Sequence, residues 1–341
     1  METKTYDVVV IGGGAAGLSG ALTLARARRS VLVVDGGEPR NAPAAHIHNY
    51  LGRESTPPAE LLAIGRTEVT GYGAEVINET ATDAIAVAGG FEVSLAGGAV
   101  VRARRLLVTT GLVDELPEVP GLAERWGREV LHCPYCHGWE VRDQRIGVLA
   151  TGPAAVHQAL LFRQWSDDVI LFQHTAAPPS AAEREELAAR GIALVEGEVA
   201  AVEVAADQLT GVRLRSGEVI GRQAIVVAPR FTARAGVLSS LGLQPTELLM
   251  GSSIAADPTG ATAVPGVWVA GNVANLMAQV IVSAAAGLSA GAAINADLVA
   301  QDTRAAVAAY RDPFTAARER EVCAQVLAPT RAVKQVAHHK N

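Results

Sequence analysis

Cysteine is scarce, with three thiols in 341 residues. That excludes a disulfide-stapled secreted scaffold, in which several bridges stand in for a large core. Aromatic residues make up only 4% of the chain and charged residues 19%, while 49% is apolar. There is no positive balance either: a net charge of −6 argues against a nucleic-acid partner, which needs a concentrated basic surface. The most apolar later run, Val280 to Ile294, is rich in Ala, Gly and Ser and reads as too short to span a bilayer, so no membrane partner is expected. At the start, Tyr6-Asp7 leads directly into the strand Val8-Val9-Val10-Ile11, so no signal peptide is expected. What remains is a soluble α/β protein of about two domains, with the cytoplasm as its expected compartment.

Two of the three cysteines stand together, in Cys133-Pro134-Tyr135-Cys136-His137-Gly138. Two residues between cysteines let one turn at a helix start bring both sulfurs within disulfide reach. A helix N-terminus and a neighbouring base also lower a thiol pKa toward neutrality. Half of a zinc site would use the same spacing but needs two more ligands, and Cys323 is distant and alone. The motif therefore predicts a redox-active dithiol, with Cys323 a buried or inert thiol.

The first stretch reads strand, glycine turn, helix, strand. Val8–Ile11 leads into Gly12-Gly13-Gly14-Ala15-Ala16-Gly17, a helix from Leu18 to Arg28 follows, and Val31–Val34 ends at Asp35. Gly12 permits the tight turn, Gly14 lets backbone N–H groups approach a pyrophosphate, and Gly17 allows close helix–strand packing. Asp35 can accept from ribose hydroxyls. A second copy begins at Ile146, where Ala150 takes the place of Gly12, Gly152 of Gly14, Ala155 of Gly17 and Gln173 of Asp35. It is degraded, because the turn glycine is gone and Pro153 removes an N–H that would face a phosphate.

Between these units, Pro39 to Gly52 is an irregular loop. Its His46 and His48 are either substrate contacts or surface histidines. Pro57 and Pro58 open a helix from about Ala59. Segments near Phe91–Leu95 and Val100–Arg102 suggest a β-meander, and Leu106–Thr110 reads as a separate buried strand ending at Gly111. A second meander over about Val195–Leu214 precedes the strand Ala224–Ala228. Later come the strand Val267–Ala270, a small-residue helix from Gln279 to Leu298, and a polar helical tail beyond Asp302, broken by Pro313 and Pro329.

Over about residues 5 to 300 the chain resembles the low-molecular-weight thioredoxin reductases. The resemblance is carried by the first glycine fingerprint, Asn49-Tyr50-Leu51-Gly52, Thr110-Gly111, Ala270-Gly271-Asn272 with Gln279 following, and above all by a CxxC just before the second unit. Glutaredoxins share Cys-Pro-Tyr-Cys, but near the start of a small domain without a fingerprint. The resemblance implies an α/β fold of two Rossmann-like three-layer ββα nucleotide-binding domains. An FAD-binding domain would take residues 1–117 and 246–300, a CxxC-bearing, degraded NAD(P)H-binding-like domain residues 118–245, and a helical tail residues 301–341. It further implies a homodimer with FAD, with Cys136 facing the flavin and Cys133 exchanging with substrate. The candidate cofactor residues are Gly12, Gly14, Ala15, Ala16, Gly17, Asp35, Gly36, Arg40, Asn41, Asn49, Thr110, Gly111, Gly271, Asn272, Gln279 and Val280. The candidate catalytic residues are Cys133, Cys136 and His137, and no metal is expected.

Three departures redirect the expected function. Where the family holds the NADPH 2′-phosphate with arginines, this chain has Gln173-His174-Thr175. Two lost charge-assisted bonds remove roughly 3–6 kcal/mol, two to four decades of affinity. Gln173 also lacks the carboxylate that usually grips the ribose of NADH. After the second cysteine the family has an aspartate acid/base and this chain has His137, similar to the dithiol oxidases that close natural-product disulfides of the gliotoxin and holomycin type. His137 is either a base for incoming thiols or a helix cap. Asn272 replaces an aspartate that bonds the flavin ribityl chain. The resulting expectation is an FAD-dependent oxidase of a small-molecule dithiol, with dioxygen as acceptor. An NAD(P)H-driven reductase of thioredoxin or a small disulfide is the alternative, and a non-turnover redox sensor the second.

Overall fold

The computed structural model describes residues 4–311 and 316–327, in two compact units, Met1–Ile294 and Asn295–Asn341. The first unit opens with β1 (Thr5–Ile11), α1 (Ala15–Arg26) and β2 (Val31–Asp35), then α2 (Pro58–Gly71), β3 (Glu75–Asn78), β4 (Ala81–Val87), β5 (Gly90–Leu95) and β6 (Val100–Val108). β3, β2, β1 and β6 run parallel, while β5 and β4 continue the sheet antiparallel. Val8, Val9 and Val10 are wholly buried, as a continuous β-branched run requires when both sheet faces are covered. Helix α1 starts and stops earlier than the sequence predicts, and Arg28 (φ 63°) lies in the turn beyond it. The meander strand and the buried strand predicted around residue 105 are one element. β6 pairs β5 along its first half and a returning strand along its second.

The middle of the chain holds β7 (Leu112–Glu115), β8 (Val130–Leu131), α3 (Pro134–His137), β9 (Ile146–Leu149), α4 (Ala155–Phe162), β10 (Val169–Phe172), α5 (Ala181–Ala189) and β11 (Ala193–Val195). An antiparallel meander of β12 (Val199–Ala205), β13 (Gln208–Leu214) and β14 (Val219–Ile220) precedes β15 (Ala224–Val227). The second sheet, in the order β11-β10-β9-β15-β8, is wholly parallel, and the strand–helix–strand repeat read from the sequence forms its centre. Around it, Phe162, Phe172, Val148 and Val226 are buried. β16 (Arg230–Ala233), β17 (Thr246–Leu248) and β18 (Gly251–Ser253) join β7 in a small sheet where the chain passes from one large sheet to the other. β19 (Val267–Val269) then returns to β6.

The last helices among the described residues are α6 (Val280–Arg311) and α7 (Ala316–Leu327). α6 is longer than the apolar run suggested, and its most apolar stretch (mean hydropathy 1.4) meets the length and composition of a membrane span. The expectation that this run is too short is corrected on that point. Its small residues have a different cause: a Cβ at Gly287 would stand 1.9 Å from the Ala16 carbonyl oxygen, and one at Gly291 2.8 Å from that of Gly20. They let α6 lie directly on α1, a helix partner that the sequence did not suggest. Cys323 is exposed on α7, not buried. The breaks expected at Pro313 and Pro329 lie outside the described residues.

Candidate functional site

The C-terminal ends of β1, β2, β6 and β19 face one large cavity, as strand ends of an open α/β sheet do. Its volume is about 1280 Å³, and the glycine turn and the dithiol both line it. Every candidate residue lines it except Gly17 and Asn49. Gly17 has the packing role its place implies, since a Cβ there would stand 1.9 Å from the Gly12 carbonyl oxygen. Asn49 (φ 60°) is held away from the cavity wall, its amide donating to the Tyr135 carbonyl at 2.6 Å. It ties the 46–54 loop to the dithiol turn.

Gly12 (φ 107°) turns tightly against Thr109, whose hydroxyl donates to its carbonyl at 2.8 Å. The first N–H groups of α1 have no side-chain cap, and a Cβ at Gly14 would meet nothing within 4 Å. This is an open cradle of backbone donors at a 12-residue helix N-terminus, which suits a pyrophosphate. At the end of β2, Asp35 accepts from the Gly13 N–H (3.1 Å) and from Arg66 (2.5 Å), while still bordering the cavity. Gly271 (φ 77°) brings the β19 end close, because a Cβ there would lie 2.9 Å from that of Ala16.

Three residues here, Arg40, Asp114 and Asn272, form a network that sequence reasoning did not foresee. Arg40 donates to both carboxylate oxygens of Asp114 (2.8 and 2.6 Å) and to the Asn272 side-chain carbonyl (3.3 Å). The Asn272 amide in turn donates to the carbonyls of Asn275, Leu276 and Ala278 at 3.0, 3.4 and 3.0 Å. Asparagine in place of aspartate is thus explained locally, because a carboxylate has no N–H for these three acceptors. The only sequence signal was the departure at Asn272 itself; Asp114 had none.

The thiols of Cys133 and Cys136 stand 2.6 Å apart at the start of the single-turn α3. The Cys136 thiol and then the N–H groups of Cys136 and Tyr135 hold the Cys133 pKa down to about 7, against burial. The hydrogen bond its thiol makes to Cys133, then burial and the Cys133 charge, push Cys136 up. The reduced pair therefore carries its charge on Cys133 near neutral pH, consistent with a nucleophilic thiolate. Helix α3 is too short for its dipole to do this alone.

Two imidazoles flank the pair, and both have pKa values lowered chiefly by burial. His137 Nε2 is buried with no hydrogen-bond partner, so the ring caps nothing through that atom. His132, which the sequence reading did not single out, has its Nδ1 3.2 Å from the Val227 carbonyl. Of the loop histidines, both border the cavity, and His48 bridges Glu54 (2.6 Å) and Glu140 (3.5 Å).

The degraded second unit differs from the first at its crevice. Ala150 is buried, and the N–H of Ala176, beyond β10, donates back to its carbonyl at 3.2 Å. His174 Nδ1 accepts from the Val199 N–H at 3.1 Å, so this side chain is committed within the fold.

A dinucleotide cradle sharing one cavity with a CxxC dithiol defines a flavin-type disulfide oxidoreductase. The chain belongs to the pyridine nucleotide-disulphide oxidoreductase family, whose description matches residues 6–287, and it is thioredoxin reductase-like. It is 30% identical over 317 residues to Thioredoxin reductase sirT of Leptosphaeria maculans, covering 88% of this chain and 96% of that one. Thioredoxin reductase tcpT of Claviceps purpurea is 38% identical over 159 residues, 44% of this chain and 48% of that protein. The chain thus matches about half the length of some curated relatives. Among solved structures, HlmI is 48% identical with a TM-score of 0.84, covering 90% of this chain and 96% of that one. FAD is the cofactor of this assignment, and the uncapped α1 cradle, Asp35 and the cavity volume fit it.

Proposed function

We propose that the protein is an FAD-dependent dithiol oxidase that closes an intramolecular disulfide in a small-molecule substrate, with dioxygen as electron acceptor. The observation that carries this reading is His137, a neutral imidazole whose Nε2 is buried without a partner, directly after Cys136. Beginning from the oxidised pair, one substrate thiol gives its proton to His137 and its sulfur attacks Cys133, releasing Cys136. The second substrate sulfur then attacks the first and releases Cys133, leaving the product disulfide and a reduced pair. FAD bound in the cavity would supply the electron acceptor for the reduced pair, with dioxygen as the final oxidant. The cradle at Gly12–Ala16 and the Asp35 carboxylate would hold FAD, with Gly271 and Val280 also lining the cavity.

The altered second unit supports this direction of flow. It has no arginine at positions 173–175, its His174 is committed to Val199, and its turn is bonded to Ala176. A second copy of the chain as homodimer partner and a cytoplasmic setting belong to the same reading. The division into an FAD domain (residues 1–117 and 246–300), a CxxC domain (118–245) and a tail also belongs to it. The names of the relatives favour a second reading, an NAD(P)H-driven reductase of thioredoxin or another disulfide. Changing Cys133 or Cys136 to Ser should abolish dithiol-dependent oxygen uptake while FAD stays bound; retained turnover in either variant would defeat the mechanism.

A further inference from the structure

Gln279 stands immediately before α6, and its amide nitrogen lies 3.9 Å from the sulfur of Cys133 and 3.9 Å from that of Cys136. It approaches from the far end of the chain and is neutral, so its donor capacity does not change with pH. The turn that carries it is the one held by the Asn272 amide, which donates to the carbonyls of Asn275, Leu276 and Ala278. The donors of the CxxC turn itself, the N–H groups of Cys136 and Tyr135, favour charge on Cys133. Gln279 reaches Cys136 as well.

We propose that Gln279 is a hydrogen-bond donor shared by the two sulfurs, stabilising whichever carries the negative charge during thiol–disulfide exchange, with Asn272 as its positioning residue. The proposal rests on the redox-dithiol reading of the site. In the first exchange a substrate sulfur bonds to Cys133, the Cys133–Cys136 bond breaks, and the electron pair goes to Cys136. In the second, the substrate's other sulfur bonds to the first, the bond to Cys133 breaks, and the electron pair goes to Cys133. Of the two thiol protons that leave the substrate, one passes to His137 and one to the released Cys136 thiolate, while two electrons arrive on the cysteine pair. Because each sulfur is a leaving group once, a donor equidistant from both assists both exchanges. The other charged or titratable groups at the pair are Arg40, which favours charge on Cys136, and the half-buried His132 and His137, whose pKa values are lowered. His46, His48 and His157 border the same cavity, with Glu140 beside His48.

The test is alkylation of the FAD-loaded enzyme by iodoacetamide, after reduction with dithiothreitol and removal of the reductant under argon, at a series of pH values. The Cys133→Ser variant identifies the Cys133 signal. Gln279→Met is expected to react about tenfold more slowly near pH 6, with its alkylation midpoint moved upward, as loss of one charge-assisted bond implies. Gln279→Glu, which places an anion beside the thiolate, should be slower still. Asn272→Asp should shift the midpoint in the same direction, and combined with Gln279→Met it should add nothing, because its effect passes through Gln279. Wild-type midpoints in the Gln279 variants would overturn the proposal, whether FAD is retained or lost. Should Gln279→Met not fold, Gln279→Asn, whose amide is one methylene short, supplies the same comparison. These rates do not depend on which reductant serves in turnover, so they stand or fall separately from the oxidase reading.

Discussion

Replacing His137 with glutamine keeps a polar side chain of similar length but removes the proton acceptor. General-base catalysis is worth about 10²–10⁴ in rate, and a loss of that order is expected at pH 7. The structure also fixes how this loss should vary with pH. Burial lowers the His137 pKa, so the ring is neutral at pH 7 and takes up a proton only as pH falls below its ordinary value of 6.5. The wild-type rate constant for flavin reduction by a dithiol should therefore hold down to about pH 6.5 and decline below it. A substrate thiol of pKa about 8.5 is about 3% ionised at pH 7 and about 90% at pH 9.5. Self-ionisation thus recovers about 30-fold of the variant's deficit over that range, because the missing base matters less once the thiol has lost its own proton. Anaerobic stopped-flow mixing with dithiothreitol, following flavin absorbance, measures both profiles. A deficit that stays constant from pH 7 to 9.5 would refute His137 as the proton acceptor.

Two further changes test how the site is built. Gly17→Ala puts a methyl 1.9 Å from the Gly12 carbonyl oxygen and 2.7 Å from the Thr109 hydroxyl, so α1 must move off the turn. About 1–3 kcal/mol of stability and most of the bound FAD should be lost, as read by thermal melting and flavin content; normal flavin content would contradict the cradle. Asp114→Asn removes the charge that Arg40 is paired with, at a mostly buried carboxylate. About 1.5–3 kcal/mol should be lost, and a melting temperature equal to wild type would show the Arg40–Asp114–Asn272 network to be inessential.

Local patterns carried much of this site in the sequence. The first fingerprint was legible because each glycine meets its constraint within the same unit: Gly12 through its φ, Gly17 through the Gly12 carbonyl. The dithiol was legible because a two-residue spacing alone brings the sulfurs together, and the second unit because it repeats the first. Contacts between distant segments were not legible. Arg40 reaches Asn272 only after the chain has built one sheet, left it and returned as β19. The motifs mark Asn49 and Gln279 as cofactor candidates, but neither the bond from Asn49 to the Tyr135 carbonyl nor the reach of Gln279 to the two sulfurs is visible in them. The strand boundary near residue 105 was missed because β6 changes partner midway without interrupting its apolar run.

The direction of electron flow is the central claim, and one anaerobic comparison tests it most directly. The oxidised, FAD-loaded protein is mixed with NADPH, and separately with a small dithiol, while flavin absorbance is followed. Fast bleaching by the dithiol with little or none by NADPH is the expected result; fast bleaching by NADPH would contradict the oxidase account.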